Sequence, residues 1–419
     1  MYASFYLCRY NFRWATPDIR TQYGFDYKDI TLILGCWSWA YGVGQLVNGL
    51  FTDRIGGKRA MLIGVAGMIV ANLAFGAASG FGSLTTFTLI WVVNGYMQAF
   101  GAPGMIKINA AWFNRSERGT FAGIFGFMIQ LGQVSINQLA PALLSGFTLF
   151  LFTVPALPWK WLFWVPPMIA ALVAVLVVLC VKETPEDAGF PDVSPEETAK
   201  SAGDVRVSLK ESFRVIVKHP LVWFYALAYA CTGAVRHGAD HLAVLYFVDE
   251  MKLDRQSPAL KNTLQLMPVV AVLGSFTAGI VSDKLFKGHR SPVAMALYFL
   301  ETAVILLAVL VIEGAGAKSL VLSCFFLVMI SLTANSTHSI VGAAAPMDIG
   351  GRKMAGFAAG VIDSFQYFGS GIALPLMGWL LDKYGWVTWF PAMAGFGAVG
   401  GCAMLLVMRK QKKLAQAAA

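Results

Sequence analysis

Twelve apolar stretches, at roughly 1–22, 30–52, 60–79, 84–110, 119–145, 159–181, 219–248, 260–281, 291–313, 318–342, 354–379 and 386–408, are each long enough to cross about 30 Å of hydrocarbon. No water is available in that layer to hydrogen-bond the backbone. A crossing segment must therefore satisfy its own N–H and C=O groups, as a helix does. Apolar runs of this length without strict alternation fit helices. The stretches fall into two groups of six around one long polar segment, 182–218, which carries Lys182, Glu183, Glu186, Asp187, Glu196, Glu197, Lys200, Arg206, Lys210 and Arg214. The expected fold class is an all-α membrane protein with twelve transmembrane helices in two six-helix bundles. The bundles would be residues 1–181 and 219–419, joined by a linker at 182–218, with a basic tail at the end.

Only 13% of the residues are charged, against about 25% in soluble domains, which excludes a soluble globule. In a soluble protein a net charge of +9 would point to nucleic acid. Here the basic residues have a different logic. One set of short loops and the tail hold Arg54, Lys58, Arg59, Arg115, Arg118, Lys284, Lys287, Arg290, Arg352, Lys353, Arg409, Lys410, Lys412 and Lys413. In the opposite set, Lys28, Lys160, Lys252, Arg255, Lys261, Lys318 and Lys383 are nearly balanced by nearby acids. Lys and Arg collect on the cytoplasmic side, so both termini and the linker are expected there. The surplus charge is then topological, and no nucleic-acid partner is expected. All six cysteines fall in apolar runs without a CxxC pair and read as core residues, neither disulfides nor metal ligands. The first apolar run lacks a basic n-region and carries Arg9 and Arg13 inside it, so it is no cleavable signal. With Arg9 at mid-bilayer, the preceding half of its helix needs about ten residues at about 1.5 Å each. Eight precede it, so either that helix is short or the protein begins upstream of Met1.

A charge inside a membrane span costs several kcal/mol and points to function by default. Arg9, in Tyr6-Leu7-Cys8-Arg9-Tyr10-Asn11-Phe12, is one such charge, and Arg236, in the first span of the second group, is another. Two permanent cations at matching places suggest one anion held between them. The alternative is a structural pair for each, with Asp240 or Asp363 as partner. Asp240 fits a salt bridge better than a substrate contact, whereas Asp363 fits either that or a positively charged group on a zwitterionic substrate. A further pattern repeats at the same place in each half: Gly49-Leu-Phe-Thr-Asp53-Arg54-Ile-Gly56 and Gly279-Ile-Val-Ser-Asp283-Lys284. The glycine lets helices approach closely, and the acid beside basic loop residues can make a contact in one conformation and lose it in another. Lys107 either draws anions inward or snorkels to the surface. Glu301 is expected near enough to the surface to be solvated. His237, His241 and His338 read as hydrogen-bonded core histidines, since no cluster of acids joins them to support a metal. Trp37, Trp39, Trp91, Trp159, Trp161 and Trp164 suit interfacial belts. No GxxxxGK[ST] motif and no nucleophile, base and oxyanion set occurs, so neither cofactor nor enzymatic activity is expected.

These motifs together resemble the major facilitator superfamily. Within it, Tyr2-Ala-Ser-Phe-Tyr6-Leu-Cys-Arg9-Tyr-Asn11-Phe12, Ala40-Tyr41-Gly42, Glu117-Arg118-Gly119, Glu183-Thr184-Pro185-Glu186-Asp187-Ala-Gly189, Ser282-Asp283-Lys284-Leu-Phe-Lys287-Gly288 and Lys353-Met-Ala355-Gly356-Phe-Ala-Ala359-Gly360 are similar to the organophosphate:phosphate antiporter family. The resemblance runs the length of the chain in order. It implies a monomeric, multi-pass protein of the bacterial inner (cytoplasmic) membrane. It also implies alternating-access antiport of a small phosphate ester against inorganic phosphate, with Arg9 and Arg236 on the phosphate and Tyr2, Tyr6 and Tyr41 lining the pocket. The residues themselves give Asp53, Arg54, Asp283, Lys284 and Asp240 as candidates for conformational roles. Two positions depart from the glycerol-3-phosphate branch. Gln45 stands where a helix-2 lysine is found, and Ile129, with Gln130 beside it, where a helix-5 histidine is found. Arg13, one turn after Arg9 on the same face, either replaces the missing charge or snorkels outward. A carboxylate or zwitterion carrier and a non-transporting sugar-phosphate sensor are the other readings. Uncharged replacements at Gln45 or Ile129 are expected to shift substrate preference more than turnover, as measured by competition in a reconstituted exchange assay.

Overall fold

The computed structural model describes residues 1–113, 118–149, 152–191, 218–219, 221–286, 290–314 and 319–418, and for 118–125, 149, 152, 313–314, 343–359, 414–415 and 417–418 it describes the backbone only. Most of the linker, the 287–289 part of the second motif, Glu117, and the side chains of Arg118, Gly119 and of Lys353 through Ala359 therefore lie outside the described residues. The first helix, α1, is Tyr2–Tyr23, and it ends on Gly24, whose φ of 66° is a left-handed conformation that favours glycine. Helix α2, Tyr27–Ile55, starts in a reciprocal capping box between Asp26 and Asp29. It is followed by α3, Gly57–Ala77.

The fourth apolar stretch, expected as one span, is broken in two. Helix α4, Leu84–Gln98, stops before α5, Gly101–Trp112. Pro103 and Gly104 stand in the first turn of α5, where a missing N–H is tolerated but continuation of the preceding helix is not favoured. Helix α6, Arg118–Ser145, leads into a short antiparallel hairpin, β1 Phe147–Leu149 and β2 Phe152–Val154, that apolar patterning did not suggest. Helix α7 is Val165–Cys180.

The second half contains α8 Val222–Leu245, α9 Pro258–Leu285, α10 Arg290–Gly314, α11 Leu320–Tyr384 and α12 Trp389–Ala418. Helix α11 is one helical run over both the tenth and the eleventh expected spans. It is not straight. The His338 ring lies 2.8 Å from the Tyr229 hydroxyl, and the Gln366 carbonyl abuts Gly233, one turn further along α8. A straight helix would separate positions that far apart by about 40 Å, at about 1.5 Å per residue.

Seven of the described helical segments are long and apolar enough to cross a membrane by length and composition. Helix α1 is not among them, because Arg9, Asn11, Arg13, Asp18 and Arg20 lower its hydropathy. Those polar residues face protein. Arg9, Asn11 and Arg13 are all buried. Trp37, Trp91 and Trp159 are likewise buried and belong to no interfacial belt. Glu301 is also fully buried, contrary to the expectation of solvation, because the Thr337 hydroxyl at 3.4 Å and the neighbouring helices cover it.

Small residues set the seams. Along α2, Gly35 meets Pro375 and Gly42 meets Phe368, while Gly378 of α11 meets Thr31. Between α8 and α11, a Cβ at Gly233 would lie 1.8 Å from the Gln366 oxygen, and one at Gly369 would lie 2.1 Å from the Ala230 oxygen. With no hydrophobic drive between helices in lipid, such close backbone approach supplies much of the packing. Gly233→Val is therefore expected to destabilise by about 1–3 kcal/mol through overpacking. A lower apparent unfolding temperature in detergent would show it, and an unchanged one would contradict the seam.

Candidate functional site

The middle of α1 projects three aromatic rings and two guanidinium groups on a helical repeat. Tyr2, Tyr6 and Tyr10 succeed one another at four-residue spacing, with ring centroids 5.6 and 5.9 Å apart. Arg9 is 2% exposed, and its guanidinium carbon lies 4.6 Å from the Tyr6 ring centre, 4.9 Å from Trp37 and 4.6 Å from Tyr41. Its Nε donates to Gln98 Oε1 at 2.9 Å. Behind Gln98 stands a chain of amides. Gln98 Nε2 donates to Asn94 Oδ1 at 3.1 Å, Asn72 Nδ2 to the same oxygen at 3.3 Å, and Asn11 Nδ2 to Asn72 Oδ1 at 2.8 Å. Helices α1, α3 and α4 thus fix the orientation of one cation. Its Nη2 is buried with no partner.

The second cation comes from the other half. Arg236, on α8, is 7% exposed and donates from Nη1 to Gln366 Oε1 at 3.2 Å. Gln366 Nε2 in turn donates to Asp363 Oδ1 at 3.1 Å. The Arg236 Nε is buried without a partner. Rings close the gap between the two arginines. Tyr41 of α2 lies 4.2 Å from Tyr367 of α11, and Tyr367 lies 5.3 Å from His237 of α8. Tyr6 and Asp363 are each close enough to interact electrostatically with both arginines.

Neither Arg9 nor Arg236 makes an ion pair with Asp240 or Asp363 among the described residues. Asp240, expected as a salt-bridge partner, instead accepts from the Tyr10 hydroxyl at 3.1 Å. Arg13 does not snorkel. It is 1% exposed, lies over the Tyr10 ring, and donates to the Asp240 carbonyl at 3.0 Å and to Asn137 Oδ1 at 2.5 Å. It thereby ties α1 to α6 and to α8 of the other half. Gln45 is buried one turn beyond Tyr41, and Gln130, half-buried on α6, has an unpartnered Oε1. No described contact joins either glutamine to the two arginines.

The conformational motif is only partly assembled. Lys107 is partly exposed and reaches the end of α2. Its Nζ donates to the carbonyls of Thr52 and Asp53 and lies 3.8 Å from Asp53 Oδ1, a cation placed at the C-terminus of α2. Glu183, at the start of the linker, accepts from the backbone N–H groups of Gly57 and Lys58 at the N-terminus of α3. For Arg54, Asp283 and Lys284 no hydrogen bond or ion pair occurs among the described residues. Several site residues were not anticipated: Tyr10, Trp37, Gln98, Gln366 and Tyr367. Tyr10 and Tyr367 could have been found from spacing, each four residues after a residue already singled out, Tyr6 and Asp363. Trp37 and Gln98 carry no such signal, because they meet Arg9 only through tertiary folding.

A glycerol-3-phosphate transporter of Bacillus subtilis is 28% identical over 393 residues, covering 92% of this chain and 85% of that protein. The membrane sensor protein UhpC of Salmonella typhimurium is 27% identical over 416 residues, covering 97% and 88%. A phosphoglycerate transporter protein of the same organism is 25% identical over 409 residues, covering 94% and 84%. Among solved structures, a bacterial homologue of the human lysosomal transporter Spinster, in an inward-facing and occupied conformation, superposes with a TM-score of 0.71 at 14% identity, covering 97% of this chain and 94% of that one. The profile of the Major Facilitator Superfamily matches residues 1–373, so this integral, multi-pass membrane protein belongs to that family and has its fold.

Proposed function

We infer that the protein is a secondary transporter that exchanges a small phosphate ester for inorganic phosphate by alternating access. The observation that carries this reading is the pair of buried guanidinium groups, one from each half, held around one set of rings with a free donor on each. Guanidinium matches phosphate oxygens in a two-point fashion that lysine does not. The relatives named for glycerol-3-phosphate and phosphoglycerate transport add support, since each covers most of this chain.

In this reading an anion lets Arg9 and Arg236 approach one another. Without it, two cations in a low-dielectric interior repel, so the empty carrier seldom reorients and exchange is obligatory. Asp363, linked to Arg236 through Gln366, holds the second arginine between turnovers. Both termini lie on the cytoplasmic side. The side bearing the α1–α2 turn is then external, and there the halves are latched. Arg255 donates to both carboxylate oxygens of Asp18 at 2.5 Å, Arg20 pairs with Asp249, and Asp382 accepts from the backbone N–H groups of Tyr27 and Lys28 at 2.9 Å each.

Arg9→Lys and Arg236→Lys are each expected to abolish phosphate exchange in proteoliposomes while leaving the protein folded, as judged by gel filtration. Full exchange in either variant would refute the site. Phosphate binding without exchange in the wild type would select a sensor, as the UhpC relative is named. Binding of carboxylates lacking any phosphate would select an acid carrier. For the latch, Asp18→Arg is expected to slow exchange and the swap D18R/R255D to restore it. A partly exposed pair is worth about 1 kcal/mol, so the effect is about fivefold. Equal rates for the single variant and the swap would remove the pair from the mechanism.

A further inference from the structure

His237 and His241 sit one turn apart on α8, immediately after Arg236, so they share a face of that helix. Their rings stack with centroids 5.7 Å apart and planes 18° from parallel. His241 also stacks on Tyr10 of α1 at 5.4 Å and 12°, and His237 rests against Tyr367 of α11 at 5.3 Å. The imidazoles therefore occupy the wall between the two halves, beside both phosphate-binding arginines. They are 1% and 2% exposed. Both ring nitrogens of His237 and Nδ1 of His241 have no hydrogen-bond partner.

A buried polar group left unpaired costs about 1–3 kcal/mol. A structural histidine avoids that cost, as His338 does by bonding the Tyr229 hydroxyl at 2.8 Å. Three unpaired nitrogens at one place, next to unpaired Arg9 Nη2 and Arg236 Nε, mark a surface awaiting a polar ligand. Charge decides what kind. The guanidiniums of Arg9, Arg13 and Arg236 face the carboxylates of Asp240 and Asp363, a surplus of one positive charge that a phosphate monoester already offsets. No cation is left over for a second anionic group. A neutral imidazole carries one donor and one acceptor, which complements a hydroxyl group.

We propose that His237 and His241 form a subsite for the organic part of the cargo, and that this part is an uncharged chain or ring bearing hydroxyl groups. The proposal rests on Arg9 and Arg236 binding phosphate.

The test compares glycerol phosphate, propyl phosphate and phosphoglycerate as competitors for phosphate exchange by the full chain in proteoliposomes. Wild type is expected to prefer glycerol phosphate over propyl phosphate by tenfold or more, and to prefer it over phosphoglycerate. In His237→Phe and His241→Phe, which keep the stacked rings and remove the nitrogens, the glycerol-to-propyl ratio is expected to fall about tenfold. His237→Gln, which restores a donor and an acceptor, is expected to recover part of it. Using a ratio within each variant cancels any loss of folded protein. A ratio unchanged in both phenylalanine variants, no wild-type preference for the hydroxylated ester, or a tenfold preference for phosphoglycerate would each overturn the subsite. Wild-type protein that binds neither phosphate nor propyl phosphate would instead overturn the phosphate reading beneath it, and the subsite would fall with it.

Discussion

A guanidinium ion kept away from water in the middle of a membrane protein is the constraint on which this structure depends. Arg9 loses its hydration and receives in exchange one amide acceptor and the faces of Tyr6, Trp37 and Tyr41. Cation–π contacts are worth about 2 kcal/mol or more when desolvated, so three rings offset a good part of the cost without neutralising the charge. A carboxylate partner would have offset more and silenced the group. An uncharged shell instead leaves a cation that is stable enough to fold around and still attractive to an anion.

That shell needs backing. Gln98 can hold Arg9 only if it is held itself, and the run through Asn94, Asn72 and Asn11 anchors it to three helices. Gln98, Asn72 and Asn11 each use both oxygen and nitrogen, and Asn94 accepts twice on its oxygen, which makes the assembly cooperative and fixes which way these side chains point. The C-terminal half is built differently. Arg236 leans on one glutamine that leads to an acid, Asp363, which is only half-buried. One arginine stands on a rigid frame and the other on a yielding one, a natural arrangement where one half must move relative to the other.

The sequence revealed the membrane class readily, because apolar runs of bilayer length are a one-dimensional signal. The two arginines were equally plain, since a charge in such a run has few innocent explanations. What escaped depended on the third dimension. Gln98 and Trp37 look like ordinary span residues until α2 and α4 bring them against α1. Trp37, Trp91 and Trp159 were assigned to the interface from residue type, but burial inside the protein prevailed over that preference. Glu301 was placed near solvent from its position early in a span, whereas neighbouring helices cover it. Helical periodicity did contain Tyr10 and Tyr367, and also the shared face of His237 and His241, but it could not say that those histidines lack partners. The break between α4 and α5 was written in Gly101, Pro103 and Gly104, and hydropathy passed over it.

The carboxylate of Asp382 grips main-chain amides at the start of α2 and no side chain there. Any residue except proline supplies the same amides, so positions 27 and 28 are free to vary as far as this contact is concerned. Asp382 is not, because its reach and charge have no substitute at that spot. Mutational tolerance is thus lopsided across a single contact: drift on the N-terminal half is invisible to it, while one changed codon on the C-terminal half removes it.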